Sequence, residues 1–331
     1  MEVNGVPEYI NFDRLTYGFP TFTVLVSPSY LIPTLVIVAR MFYLYFTMFG
    51  KNKTAPIQKH LFSSFLLMQI GNFSYIITDN IVLRIPATGI LTSWCASLEP
   101  NQYLKIPYLI AFISSYSSML YPVLFCANRA IIVFYPKDHN EICSRLMRIS
   151  LPISIILPII LSCFMIPTIG RCVQLTSPYP FGAIMFSLNM KVPINEVIHL
   201  FTSFLCFTLA LAINITMLIK VRHILFNKSF SNRQINRNYK AELSLTITMI
   251  SLFIPFLINA IVTILAVIDQ SLIGYILSIR PFAVDAATVF VPWAFYLSHP
   301  MFQKRTTISS SPAANTMNSS IKVNSLVKDN E

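Results

Sequence analysis

The chain has 331 residues, of which 55% are hydrophobic and 11% charged, and its mean hydropathy is +0.64. A soluble domain carries about 25% charged residues, and this composition in water would leave large apolar patches exposed. An ordinary soluble fold is therefore excluded, and the net charge of +11 has to be explained in a membrane setting.

Seven apolar runs follow one another, at roughly 22–48, 61–83, 104–134, 149–169, 195–220, 243–267 and 277–298. Each reaches the ~20 residues that a helix needs to cross the hydrocarbon core. Backbone polar groups in lipid must be satisfied within the chain, so runs of this length predict spanning helices. The expected fold is all-α, a seven-transmembrane helix bundle. Its two ends lie on opposite sides of the membrane, and residues 1–298 form the seven-transmembrane domain. Ahead of the first run stands a polar segment with Glu2, Glu8, Asp13 and Arg14. It lacks a basic start and a short apolar core, so the first span is expected to act as an uncleaved signal.

Pro28 and Pro33 predict a kink in the first span. Pro152, Pro158 and Pro167 fall in the fourth, Pro255 in the sixth and Pro292 in the seventh. Most such kinks are static features of shape, and Pro255 is the foremost candidate for a hinge. After His299 the composition changes to a Ser/Thr-rich tail, 299–331, with Thr306, Thr307, Ser309, Ser310, Ser311, Thr316, Ser319, Ser320 and Ser325. Such a segment is expected to stay disordered, and phosphorylation there would add dense negative charge. Met301 and Phe302 beside Lys304 and Arg305 suggest a short interfacial helix.

The basic residues set the expected orientation. Seventeen of them fall in one alternating set of connectors and the tail: around 51–59, 129–148, 220–240 and 304–328. The other set holds six: Arg14, Arg84, Lys105, Arg171, Lys191 and Arg280. The positive-inside bias places the rich set in the cytoplasm, with the N-terminus outside and the C-terminus inside. Basic flanks attract anionic inner-leaflet lipid, which accounts for the charge without nucleic acid. A partner protein reading the same surface is the functional alternative. Five Asn-x-Ser/Thr matches lie on the inner side or within spans and are read as chance.

Cys126, Cys163 and Cys206 sit within spans as small packing residues, and Cys143 lies on the inner side. Cys95 and Cys172 both fall in expected outer connectors, where oxidising conditions allow a disulfide. Such a bridge would pin the second outer loop over the third span. Asn128 and Arg129 close that span at its inner end. Arg129 can snorkel to the headgroups or act as a two-state element held and released by the sixth span. Asp285 lies inside the seventh span, facing either a ligand cavity or a neighbouring helix. Asp79, near the outer end of the second span, is expected to be solvated. Glu196 and His199 are weaker pocket candidates, and Phe201, Phe204 and Phe207 are expected to pack. No phosphate loop, metalloprotease, nucleophile-elbow or zinc motif is present. No enzymatic activity, cofactor or metal is expected.

Seven spans with the N-terminus outside, two outer cysteines and an arginine closing the third span resemble the rhodopsin-type G-protein-coupled receptors. The segments NGVPEYINF (4–12), RIPATGILTSWCASLEPN (84–101) and YPFGAI (179–184) are similar to the nematode serpentine receptor class U chemoreceptors. That resemblance runs through the seventh span and excludes the tail. It implies a chemosensory receptor in the plasma membrane, expected in the cilia of sensory neurons. Its partners would be a small-molecule chemical cue, a heterotrimeric G protein and the lipid bilayer. Asn128 and Arg129 would serve G-protein coupling, and Phe253, Pro255, Asp285 and Pro292 the ligand pocket or switch.

The wider class pattern is kept only in part. Asp-Arg-Tyr becomes Asn128-Arg129-Ala130, which removes the acidic neighbour of the arginine. Cys-Trp-x-Pro becomes Leu252-Phe253-Ile254-Pro255, with Phe253 in place of the tryptophan. Asn-Pro-x-x-Tyr becomes Val291-Pro292-Trp293-Ala294-Phe295-Tyr296, so the tyrosine comes one residue late and is turned ~100° around the helix. The mid-span aspartate of the second span is absent, with Asn72 nearby. Two alternatives stand beside the receptor. A seven-helix ligand-gated ion channel would place the N-terminus inside. A small-solute transporter would be expected to show repeated halves and broken helices.

Overall fold

The computed structural model describes residues 2–16, 18–49, 58–189, 194–227 and 273–298, together with Leu257, Ile261, Ile264 and Phe302. A short helix α1 (Pro7–Ile10) precedes α2 (Phe19–Phe49). Helix α3 (Lys59–Asp79) runs on through a π turn, Asn80–Arg84, and a last turn, Ile85–Ala87. Then come α4 (Thr92–Ser97), α5 (Lys105–Phe134) and α6 (His139–Ser162). Strands β1 (Gly170–Gln174) and β2 (Ile184–Leu188) lead into α7 (Ile194–Asn227), and α8 (Ile273–Ser298) follows. Among the described residues six helices are long and apolar enough to cross a membrane. They correspond to the first five runs and the seventh. Most of the sixth run, including Phe253 and Pro255, lies outside the described residues, as does the Ser/Thr-rich tail apart from Phe302.

Hydropathy placed the third span to within one residue, whereas the second and fourth differ for identifiable reasons. Pro86 lacks an N–H and its ring crowds the carbonyl four residues back. The chain widens into the π turn just before it, and the helix continues past the expected end at 83. Helix α6 begins ten residues ahead of the expected 149, because HNEICSRLMR is amphipathic: Cys143 is buried while Arg145 and Glu141 pair on the surface. It ends at Ser162, so Pro167 lies beyond it.

Among the described residues, helices α3 and α5 make the most extensive interhelical contact. Gly71 permits it, since a Cβ there would stand 2.7 Å from Cδ2 of Tyr121. Phe62, Phe65, Met68, Phe125, Val291 and Phe295 form the centre of the core, with Phe65 stacked on Phe295 at 4.3 Å. The outward faces of α2, α6 and α7 carry exposed Leu, Ile and Phe, as a lipid-facing surface requires.

One end of the bundle carries a cap that the apolar runs did not foretell. β1 and β2 pair antiparallel, with Cys172 opposite Phe186. The N-terminal segment lies against this hairpin: the Val3 N–H donates to the Cys172 carbonyl at 3.1 Å. Asn4 ties three pieces together, donating to the Cys95 and Leu98 carbonyls and accepting from the Cys172 N–H. Tyr9 stacks on Phe181 at 4.5 Å. Burial and the neighbouring Glu8 raise its phenol above the usual value. Gly182 occupies a left-handed φ of +88°, and a Cβ there would run into the Phe12 ring.

Candidate functional site

Four charged side chains meet inside the bundle near the cap. In a regular α-helix residues five apart point ~140° away from each other. The π turn, whose bonds run i to i+5, brings Asp79 and Arg84 onto one face. Arg84 Nε donates to Asp79 Oδ2 at 2.8 Å. Its two terminal nitrogens grip both oxygens of Asp285 on α8, each at 2.7 Å. Helix α2 contributes Ser27 and Tyr30, three residues apart and hence on one face. Ser27 Oγ accepts from Arg84 at 3.0 Å and donates to Asp285 at 3.3 Å, and the Tyr30 hydroxyl also donates to Asp285. Arg280, one turn before Asp285, pairs with Asp79 Oδ1 at 3.3 Å and donates to the Tyr75 hydroxyl.

Arg84, Asp79 and Asp285 are all buried, at 2%, 3% and 4% exposure. Ionised groups persist at such depth only when paired and hydrogen-bonded. Two carboxylates against two guanidiniums meet that condition. Asp79 is therefore not solvated, contrary to the sequence expectation. Asp285 takes the second of its two readings, bonding to neighbouring helices. Arg84 and Arg280, counted among connector residues, belong to the helices.

Across the bundle, Ser115 on α5 and His199 on α7 approach at 3.1 Å. The His199 ring lies against Phe112 and Tyr116, with centroids 5.9 and 5.8 Å away. Phe201 and Phe204 are exposed on the lipid-facing side, while Phe207 packs against Met119 and Cys206. Above the cluster, Cys95 of α4 and Cys172 of β1 are joined, their Cα atoms 6.3 Å apart. Tyr179, in the hairpin loop, sits within electrostatic reach of Asp79, Arg84 and Arg280, and burial above all raises its phenol.

The other end holds Asn128 and Arg129. Both are buried on α5, and the helix continues to Phe134. Asn128 Nδ2 donates to the Leu124 carbonyl at 3.2 Å and reaches Met147 Sδ at 3.3 Å. Pro292 lies buried in α8. Phe295, where the class tyrosine would fall, points into the core. Tyr296 turns away, against Phe302 and under Arg40.

A family model described as "Serpentine type 7TM GPCR chemoreceptor Sru" matches residues 3–305. The chain belongs to this family. It is also similar to serpentine receptor class U-26 of Caenorhabditis elegans, 31% identical over 279 residues, which is 82% of this chain and 93% of that one. The protein is thus a serpentine-type chemoreceptor with a seven-transmembrane fold, embedded in a membrane by multiple passes.

Of the site residues expected from sequence, this serpentine receptor brings Cys95 and Cys172 together and places Asn128 and Arg129 side by side. Asp285 and Pro292 share α8, seven residues apart, and Phe253 and Pro255 lie outside the described residues. Sequence reasoning missed Arg84, Arg280, Tyr30 and Ser27 as partners of Asp285. A signal was present, since charges at membrane depth must find counter-charges, and Arg84 and Arg280 stood at the margins of the second and seventh spans.

Proposed function

We propose that this chain is a chemosensory receptor of the plasma membrane. It binds a small external molecule at its capped end and activates a heterotrimeric G protein at the other. The observation that carries this reading is the match to a chemoreceptor family across residues 3–305. The distribution of polar groups supports it. A hydrogen-bonding cluster and the Ser115–His199 pair lie near the cap, while Arg129 lies buried toward the opposite end.

The N-terminus and cap face outward and the C-terminal tail, 299–331, lies in the cytoplasm. A Cys95–Cys172 bridge suits the oxidising exterior. Setting aside the buried Arg84 and Arg129 and the helical, ion-paired Arg280 leaves sixteen basic residues on the proposed inner side against four on the outer, which strengthens the positive-inside argument. Sensory-neuron cilia are the expected location. Asn128 and Arg129 serve coupling, and Phe253, Pro255, Asp285 and Pro292 belong to the pocket or switch.

The test expresses the full chain with a promiscuous G protein and screens volatile and water-soluble cues. Responding cells should present an N-terminal epitope without permeabilisation. Arg129→Ala should abolish signalling while ligand binding persists. Normal signalling by that variant would remove Arg129 from the mechanism, and an epitope reached only after permeabilisation would reverse the orientation.

A further inference from the structure

The two arginines of the buried cluster are unequally satisfied. Arg84 is enclosed, its side chain 1% exposed, and it holds three carboxylate bonds of 2.7–2.8 Å. The Arg280 side chain keeps 23% exposure. A guanidinium has five N–H donors and no acceptor. Among the described residues, Arg280 engages only Asp79, at 3.3 Å, and the Tyr75 hydroxyl, with its charge lying over the Tyr75 ring at 5.6 Å. Strong charge-assisted bonds are ~2.7–2.9 Å long, so the Asp79 contact is a loose one. The other oxygen of Asp79 is already committed to Arg84.

Arg280 has neighbours on three other parts of the fold. His199 on α7 is within its electrostatic reach, as is Tyr179 in the hairpin loop. With Asp79 and Tyr75 on α3, these neighbours set the guanidinium on the interior side of α8, under the cap. His199 brings with it the Ser115 hydroxyl and the rings of Phe112 and Tyr116. Small-molecule sites commonly have this make-up, mostly aromatic and apolar walls with a few polar groups that fix orientation.

We propose that Arg280 is the anchoring residue of the ligand site and that the cue it reads carries a carboxylate. The inference rests on the receptor reading above and adds the ligand's chemical class to it. A carboxylate matches the planar guanidinium fork with two parallel bonds, whereas a protonated amine offers Arg280 no acceptor and repels its charge. Phe112 and Tyr116 receive the apolar body. The incoming oxygens take the free donors and displace the long Asp79 contact, and Asp79 keeps its bond to Arg84.

The test uses the full chain purified in lipid nanodiscs and follows thermal unfolding with defined probes. These are hexanoate, octanoate, benzoate and phenylacetate, the matched alcohols, methyl benzoate and hexylamine. At least one carboxylate should stabilise the wild type saturably, and its neutral and cationic counterparts should not. Arg280→Gln should weaken that binding by about tenfold to a hundredfold, the scale of one or two lost charge-assisted bonds. Arg280→Lys keeps the charge without the fork, so it serves if the Gln variant does not fold, and it should bind several-fold more weakly. The proposal is overturned if no carboxylate stabilises, if an alcohol or amine stabilises as well as its acid, or if the Lys variant binds like wild type. Nucleotide exchange on a G-protein heterotrimer, run in parallel, separates the two readings. A response to neutral cues alone sinks the carboxylate and leaves the receptor. Carboxylate binding through Arg280 without exchange leaves the anchor and sinks the receptor.

Discussion

Replacing Arg84 with methionine is the sharpest perturbation of the buried cluster. The guanidinium makes one bond to Asp79, two to Asp285 and one to Ser27, at 2.7–3.0 Å. Without it Asp285, 4% exposed, keeps, among the described residues, only the Ser27 and Tyr30 hydroxyls as side-chain donors, while Asp79 retains Arg280. Removing one member of a buried ion pair costs about 3–5 kcal/mol because a charge is left uncompensated. That is two to three and a half powers of ten in the folding equilibrium. The cost should fall when the stranded charge is also removed. Arg84→Met with Asp285→Asn should recover about 2 kcal/mol or more, a coupling expected of residues in direct contact. Detergent-titration unfolding in mixed micelles measures both, with fluorescence of Trp94 and Trp293 as the probe. Trp293 suits the purpose, since its indole N–H donates to Thr34 on α2 at 3.0 Å and so reports separation of α2 from α8. A single variant within about 1 kcal/mol of wild type, or no recovery in the double, would refute the view that Arg84 joins these helices.

Replacing Cys95 and Cys172 with serine opens a loop of 77 residues. Chain-entropy reasoning puts the loss near 4.5 kcal/mol at most, so delivery to the cell surface should drop sharply, and undiminished surface labelling would count against the bridge. Gly182→Ala sets a side chain at φ +88° against Phe12 and should cost about 1–2 kcal/mol. Its effect should be local, seen as faster proteolysis of residues 2–16 with the bundle intact, and an unchanged cleavage rate would contradict the packing described.

The spans were legible because lipid imposes one strong rule on backbone hydrogen bonds. Their count, their order and the placement of Lys105–Phe134 follow from apolar run length alone. What hydropathy could not convey was pairing. Asp79 looked solvated because it stands near a helix end, and only the π turn ahead of Pro86 swings Arg84 round to meet it. The cap was hidden for a similar reason. Its hairpin strands are five residues each, and its N-terminal strap is polar. The strap is held through Asn4 and Val3 by bonds to backbone 91 to 169 residues away in the chain. Tyr296, by contrast, was readable, since a one-residue delay on a helix fixes a rotation: Phe295 stacks on Phe65 while Tyr296 lies under Arg40.

The cluster also bounds what a ligand anchored there can do. A cue shifts a conformational equilibrium only by its differential affinity for the two states. Exchanging the 3.3 Å Asp79–Arg280 contact for a ligand carboxylate alters one ion pair, and couplings of that size run to ~1–3 kcal/mol, or about 5–150-fold. Driving a receptor from 1:99 to 99:1 takes about 10⁴-fold. The anchor alone therefore falls short by roughly two powers of ten or more, and the remainder has to come from the ligand's body against Phe112, Tyr116 and His199. Those residues lie on α5 and α7, whereas the anchor lies on α8 and reaches α2 and α3 through Asp79, Arg84 and Asp285. A short carboxylate that fills only the anchor should bind and act as a weak partial agonist. Efficacy should climb as the apolar body lengthens toward α5 and α7. Equal efficacy across a homologous series of acids would mean that the switch is thrown elsewhere.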